Sequence, residues 1–195
     1  VRLRRPKNIL LVGVGGQGTI LASKILSLGL TAANYDVKMS EIHGMSQRGG
    51  SVTSHIRYSK EKVYSPVVEL GKADIIVAFE KMEALRYLDY LKPDGKIVVN
   101  DCEIPGMPIT SGVCEYPKNI LEELGAHADV TVFDANKEAE KLGNPKVANI
   151  ILLGSLIGLM KLTDIDWDAI LASNVKPQFV EVNKKAIQSF RSEER

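Results

Sequence analysis

Apolar residues in this chain recur in two rhythms, short continuous or alternating runs and longer stretches repeating every three to four positions. The first run, Asn8-Ile9-Leu10-Leu11-Val12, stops at glycines 13, 15, 16 and 18. From Thr19 to Leu28, apolar Ile20, Leu21, Ile25 and Leu28 then fall on one helix face. This predicts a strand, a tight turn and a helix. Tyr35 to Ile42 predicts a second strand. Ser51 to Ser59 alternates, with Val52, Ser54, Ile56 and Tyr58 on one side and Thr53, His55 and Arg57 on the other. Lys60-Glu61-Lys62 predicts a turn, and Val63-Tyr64-Ser65 a short return strand stopped by Pro66. That makes a β-hairpin inserted after the second strand. Ala73 to Phe79 is apolar throughout, as in a parallel strand buried on both faces.

Met82 to Leu91 predicts a helix, Lys92-Pro93-Asp94-Gly95 a turn and Lys96 to Asn100 a strand. Val113 to Tyr116 predicts an edge strand, Pro117 to Leu124 a helix, Val130 to Phe133 a strand, and Ala135 to Leu142 a helix capped by Asp134. Lys146 to Lys161 predicts a long apolar helix in which Asn149 needs a hydrogen-bond partner or faces a site. A helix from Thr163 or Asp164 carries Trp167. Lys176-Pro177 opens a last helix with Phe179, Val182, Ala186 and Phe190 inward. Strands alternating with helices predict an α/β fold: a Rossmann-like, mostly parallel sheet with helices on both faces and an inserted β-hairpin. With no internal repeat and no second core, residues 1–195 read as one domain.

Charge narrows the function classes. The formal net charge is +1, which carries no broad nucleic-acid or membrane-surface footprint. No signal peptide is expected before the first strand, and the apolar run Ile150 to Met160 is too short to span a bilayer. Cys102 and Cys114 have no metal-ligand spacing. A cytoplasmic protein is the expectation.

Two stretches are candidates for chemistry. Gly13, Gly15 and Gly18 match G-x-G-x-x-G between strand and helix, with Gly16 and Gln17 inside the turn. Glycines admit close backbone approach, and a helix N-terminus offers unpaired N–H groups and partial positive charge, so an anion suits this turn. Close strand–helix packing alone would also account for the glycines. Glu41 stands about twenty residues on, where a dinucleotide fold has its ribose-binding acid. The second stretch is His43-Gly44-Met45-Ser46-Gln47-Arg48-Gly49-Gly50, polar, glycine-rich and without hydrophobic period. Its composition suits contact rather than packing, and the Arg48 fork suits carboxylate or phosphate, although a plain surface loop has similar make-up. Glu80 and Glu83 follow the third parallel-type run, at the sheet edge where ligands bind or simply at a helix start. His55 reads as structural and His127 as a surface loop residue.

No Walker lysine, serine elbow, zinc spacing or iron–sulfur cysteine set is present in the sequence. No catalytic nucleophile, base and orienter can be assembled from this chain, and no metal ligands. An anion turn beside a contact-rich loop without a catalytic set points to a subunit whose site a partner completes. The alternative is a free-standing NAD(P)- or FAD-binding protein, against which the inserted hairpin counts.

The pair Gly13-Val14-Gly15-Gly16-Gln17-Gly18 and Glu41-Ile42-His43-Gly44-Met45-Ser46-Gln47-Arg48-Gly49-Gly50 resembles the gamma-type domain of the 2-oxoacid:ferredoxin oxidoreductases. Lys176 to Asn183 and Ala73 to Gly95 look most like the small (beta) subunits of the indolepyruvate branch. The resemblance spans nearly the whole chain. It implies oxidative decarboxylation of a 2-oxoacid to an acyl-CoA, with ferredoxin as electron acceptor and CoA as cosubstrate. It implies that thiamine diphosphate with Mg and the [4Fe-4S] clusters belong to a large (alpha) partner subunit. Pyruvate, 2-oxoglutarate and 2-oxoisovalerate are the alternative oxoacids. The Glu41-to-Gly50 loop is then expected to pack beside the partner's thiamine site, with Arg48 meeting a carboxylate or CoA phosphate.

Overall fold

A computed structural model describes residues 5–44 and 49–189. The chain runs β1 (Lys7–Val14), α1 (Thr19–Ala32), β2 (Asp36–His43), β3 (Ser51–Ser59), β4 (Ala73–Ala78), α2 (Lys81–Arg86) and β5 (Leu91–Asn100). It continues with α3 (Met107–Thr110), α4 (Ile120–His127), β6 (Asp129–Phe133), α5 (Ala135–Lys141), α6 (Ala148–Leu159), α7 (Trp167–Asn174) and α8 (Val180–Ser189). The six strands form one mixed sheet in the order β2-β3-β1-β4-β5-β6. β1, β4, β5 and β6 pair in parallel, and β3 lies antiparallel between β1 and β2.

Alternation along β1 explains the two-sided core. Ile9 and Leu11 join Ile25, Leu26, Leu30 and the apolar residues of α6 and α7. Leu10 and Val12 join Ala84, Ile120 and Leu124 from α2 and α4 on the other side. Successive side chains of a strand point to opposite faces, so an unbroken apolar run needs cover on both. On the first face α1 comes so close to α7 that a Cβ on Gly29 would lie 2.2 Å from the Trp167 ring.

The expected hairpin of Ser51–Ser59 with Val63–Ser65 is not formed. β3 pairs along its length with β2 and with β1, whereas Val63-Tyr64-Ser65 forms no strand. Side chains there replace a ladder: the Val63 N–H donates to the Asp36 carboxylate (2.7 Å), and Arg57 donates to the carbonyls of Ser65 and Val67. Val113 to Tyr116 forms no edge strand either, because Tyr116 is drawn to Glu80 and the segment crosses the carboxyl edge of the sheet. The helix from Met82 ends at Arg86 and gives way to a single 3-10 turn at Leu88–Tyr90. The turn expected at Lys92–Gly95 survives as an irregularity within β5, where the register with β4 shifts. The long helix opens with a 3-10 turn at Pro145–Val147, and the Trp167 helix starts at Trp167 itself, capped by Asp166. Phe190 lies outside the described residues.

His55 is structural, as its place in the strand suggested. Its Nδ1 accepts from the Val68 N–H (3.1 Å), and Tyr90 meets its ring edge-on. Burial lowers its pKa below 6.5. Neutral His is therefore the folded form, and an unfolded chain takes up the proton first on acidification. Stability should be full above 6.5 and fall as pH drops from there toward the depressed folded value. In urea titrations across pH 5 to 8, His55→Asn, which keeps an acceptor, should lose this part of the acid dependence. Identical pH profiles for variant and parent would remove His55 as its source.

Candidate functional site

The chain leaves β1 toward β2 and β3, and leaves β4 toward β5 and β6. The carboxyl ends of β1 and β4 thus form the switch point at which open α/β sheets bind ligands. Both glycine stretches and the Glu80 turn converge there.

The first turn is built by close approaches. A Cβ on Gly13 would lie 2.9 Å from both Gln17 Oε1 and Phe79 Cβ. Gly16 and Gly18 have φ of 103° and 79°, the left-handed region that glycine enters without steric cost. Gly18 caps α1, and its carbonyl accepts from Asn149 Nδ2 (3.1 Å) and from the Ala22 N–H (3.2 Å). Asn149 is thus a backbone partner of the turn, one of the two roles open to it from sequence.

Gln17 spans the switch point. Its Oε1 accepts from the Val14 N–H (2.8 Å), and its Nε2 donates to the Phe79 carbonyl (2.7 Å) at the end of β4. The same carbonyl accepts from Asn100 Nδ2 (3.1 Å) and the Cys102 thiol (3.1 Å). Burial, then the nearby Glu80 and Asp134 charges, push the Cys102 thiol up to about 11, so it stays a protonated donor rather than a nucleophile. The crevice that would admit a dinucleotide is bridged by a side chain. Among the described residues, the N–H groups of Gly16 and Gly18 have no partner, and unpaired backbone N–H groups are the kind of donor that suits an anion.

The second stretch meets the first through backbone. The Gly15 N–H donates to the Gly50 carbonyl (2.8 Å), and Val14 stands opposite Ser51 in the ladder. Gly49, at φ 76°, is exposed. His43 and Gly44 are exposed at the end of β2, with His43 opposite Val52. Met45, Ser46, Gln47 and Arg48 lie outside the described residues. Glu41 is not beside β1, because β3 intervenes; its carboxylate accepts from Ser23 Oγ on α1 (3.3 Å). The dinucleotide expectation placed it on the neighbouring strand, and a local spacing count cannot see that a later strand is inserted between the two.

Glu80 and Glu83 behave differently from each other. Glu80 is fully buried and caps α2, accepting from the Glu83 N–H (2.9 Å), the Ile104 N–H (3.2 Å) and the Tyr116 hydroxyl. Burial, then the bond to Glu80, push the Tyr116 hydroxyl above its usual range. Glu83 accepts from Ser51 Oγ (2.5 Å) and Arg86 Nε (3.0 Å). Lys81 pairs with Glu103 (2.8 Å) and Asp101 (3.1 Å), which hold its ammonium above the normal lysine value. Nothing in the local sequence marked Ser51, Asn100 or Tyr116, since their partners are supplied by other elements. His127 is a surface residue as expected, but it ends α4 rather than lying in a loop, and it pairs with Glu123. Among the described residues, no group of three or more His, Cys, Asp or Glu side chains could hold a metal ion, and no helix is long and apolar enough to cross a membrane.

The chain that brings these two glycine segments together has relatives. Residues 8–192 match the family of pyruvate ferredoxin/flavodoxin oxidoreductases. The chain belongs to that family. It is 38% identical over 188 residues to indolepyruvate oxidoreductase subunit IorB of Thermococcus kodakarensis, covering 93% of this chain and 92% of the relative. With IorB of Pyrococcus horikoshii the identity is 39% over 186 residues, covering 92% and 91%. Among solved structures, the gamma subunit of a keto/oxoacid ferredoxin oxidoreductase from Geobacter sulfurreducens superposes with a TM-score of 0.68 at 25% identity, covering 95% of this chain and 96% of that one. The mixed sheet and its flanking helices are therefore the architecture of these subunits.

Proposed function

We propose that this chain, acting as one gamma-type domain, is the small subunit of a thiamine-diphosphate-dependent 2-oxoacid:ferredoxin oxidoreductase, with indolepyruvate or a similar aryl pyruvate as substrate. The reaction joins a 2-oxoacid and CoA, releases carbon dioxide and an acyl-CoA, and passes two electrons to ferredoxin. When bound in the large subunit, thiamine diphosphate supplies the carbanion chemistry and the iron–sulfur clusters carry the electrons. The contribution of this chain is position and electrostatics. Its Gly16 and Gly18 N–H groups face an anion, and Arg48 offers a guanidinium to a substrate carboxylate or a CoA phosphate. A cytoplasmic setting goes with this reading.

The observation that carries it is the Gly15–Gly50 hydrogen bond, which joins the two stretches that bear the family resemblance on one edge of the sheet. The full-length likeness to two indolepyruvate subunits supports the substrate class. The bridging of the switch point by Gln17 speaks against a free-standing NAD(P) or FAD protein.

Co-expression with a large iron–sulfur subunit tests the proposal. The pair should co-purify and reduce ferredoxin with indolepyruvate and CoA, and the isolated chain should do neither. Arg48→Ala in the pair should lower kcat/KM about tenfold or more, the scale of one lost charge-assisted contact. Turnover by the chain alone, or a pair indifferent to Arg48→Ala, would overturn the proposed roles.

A further inference from the structure

Glu83 is 3% exposed, and its carboxylate does not serve the helix start, because Glu80 already caps α2. One carboxylate oxygen accepts from Arg86 Nε (3.0 Å), and the other from Ser51 Oγ (2.5 Å). Burying a carboxylate is costly unless its oxygens are well partnered. Arg86 lies half in solvent, so the inward partner is Ser51.

Ser51 is the first residue of β3, directly after Gly49 and Gly50. On its other side it stands opposite Val14, whose N–H is held by Gln17. The exit of the second glycine segment is thus tethered by the Gly15–Gly50 backbone bond to the first turn and by the Ser51 hydroxyl, which donates to Glu83 on α2 and lies 3.3 Å from the Tyr87 hydroxyl. A neutral acceptor would suffice for packing. An ionised acceptor makes the bond charge-assisted, about twice as strong as a neutral one. A glycine pair has little stiffness of its own, so its direction must be set by the residue that anchors its end.

We infer that Glu83 is a positioning residue: through Ser51 it fixes where Gly49 and Gly50 stand relative to the first glycine turn. This rests on the proposed function, in which both segments face a shared active centre. Displacing such a segment by a fraction of an ångström is enough to slow a reaction that depends on alignment.

Steady-state kinetics of the assembled complex with indolepyruvate and CoA test it. Ser51→Ala should lower kcat/KM about tenfold, with unchanged co-purification and a melting temperature lowered but still well above the assay temperature, and Ser51→Thr should return activity to within about twofold. Glu83→Gln should fall between the two and add nothing in combination with Ser51→Ala. Arg48→Ala separates the two ideas. If Arg48→Ala is impaired while Ser51→Ala and Glu83→Gln are not, the positioning role is overturned and the proposed function stands. If all three variants match the parent, the proposed role of Arg48 falls as well, and no turnover by the assembled parent would overturn the proposed function itself. Loss of activity in step with lost assembly or with unfolding at the assay temperature, or no rescue by Ser51→Thr, would also overturn the positioning role.

Discussion

Gly18→Ala should destabilise the chain by about 2–4 kcal/mol, the sum of backbone strain at a left-handed position and a lost buried hydrogen bond. The residue has φ 79°, and its added Cβ would come within 2.5 Å of Asn149 Nδ2. The amide must then leave the Gly18 carbonyl, its only described acceptor. Asn149→Ala should cost less, about 1–2 kcal/mol, because the Gly18 carbonyl keeps the Ala22 N–H as a donor. In the double variant the clash is gone, and the strain of a left-handed alanine and the one lost hydrogen bond remain, the bond now counted once. The two changes should therefore be less than additive by about 1–2 kcal/mol. Urea unfolding of the four proteins measures this. Strict additivity would mean that Asn149 does not press on the turn.

The reach of that pair across the chain shows what could be read locally. The strand, turn and helix from residue 7 to 32 were legible because their signals are contiguous: an apolar run, glycines, then a helical period. Asn149 was legible as a polar residue in need of a partner, but not its partner, which lies 131 residues away. The alternation of Ser51 to Ser59 marked a strand with one wetter side, but Thr53 and His55 on that side are buried as fully as Val52 and Ile56 on the other. Whether it pairs beyond β2 or between β1 and β2 depends on the crossover, and the local pattern is the same in both cases. Val63-Tyr64-Ser65 has strand composition, yet the Asp36 carboxylate takes the Val63 N–H that a ladder would use. β-Propensity describes fitness for a pleated surface, and here the neighbouring side chains offered a different partner.

The candidate site divides the same way. Both glycine stretches were marked by composition, and the structure brings Gly15 and Gly50 into contact. Glu41 was marked by spacing alone, and spacing assumes a strand order that the insertion of β3 changes. Ser51 and Asn100 carried no mark, because their meaning lies in Glu83 and in the Phe79 carbonyl, groups on other elements. The Gln17 side chain could be read as a donor and acceptor within the turn, while the use of both ends at once required the end of β4 to be in place.

That double use makes the turn sensitive to a charge placed at Gln17. Gln17→Ala removes the acceptor of the Val14 N–H, and one of three side-chain donors to the Phe79 carbonyl. The carbonyl keeps Asn100 and Cys102, so the cost is mainly the orphaned Val14 N–H, about 1–3 kcal/mol. Gln17→Glu should be worse at neutral pH, by about 3 kcal/mol or more against the parent, although it is nearly the same size. The introduced carboxylate accepts from Val14 but has no hydrogen for the Phe79 carbonyl, and the buried Glu80 follows that carbonyl in sequence. Only the protonated acid reproduces the amide, so the folded state raises the pKa of the introduced carboxyl above its unfolded value of about 4.3. A raised carboxyl pKa gives stability that is present at low pH and lost as pH rises through the folded value. The deficit of Gln17→Glu should therefore shrink on acidification from pH 8 to 4.5, while that of Gln17→Ala stays level. Urea midpoints across that range read both. A Gln17→Glu chain as stable as its parent at pH 8 would show that the Phe79 carbonyl does not depend on the amide, and the switch point would then be open.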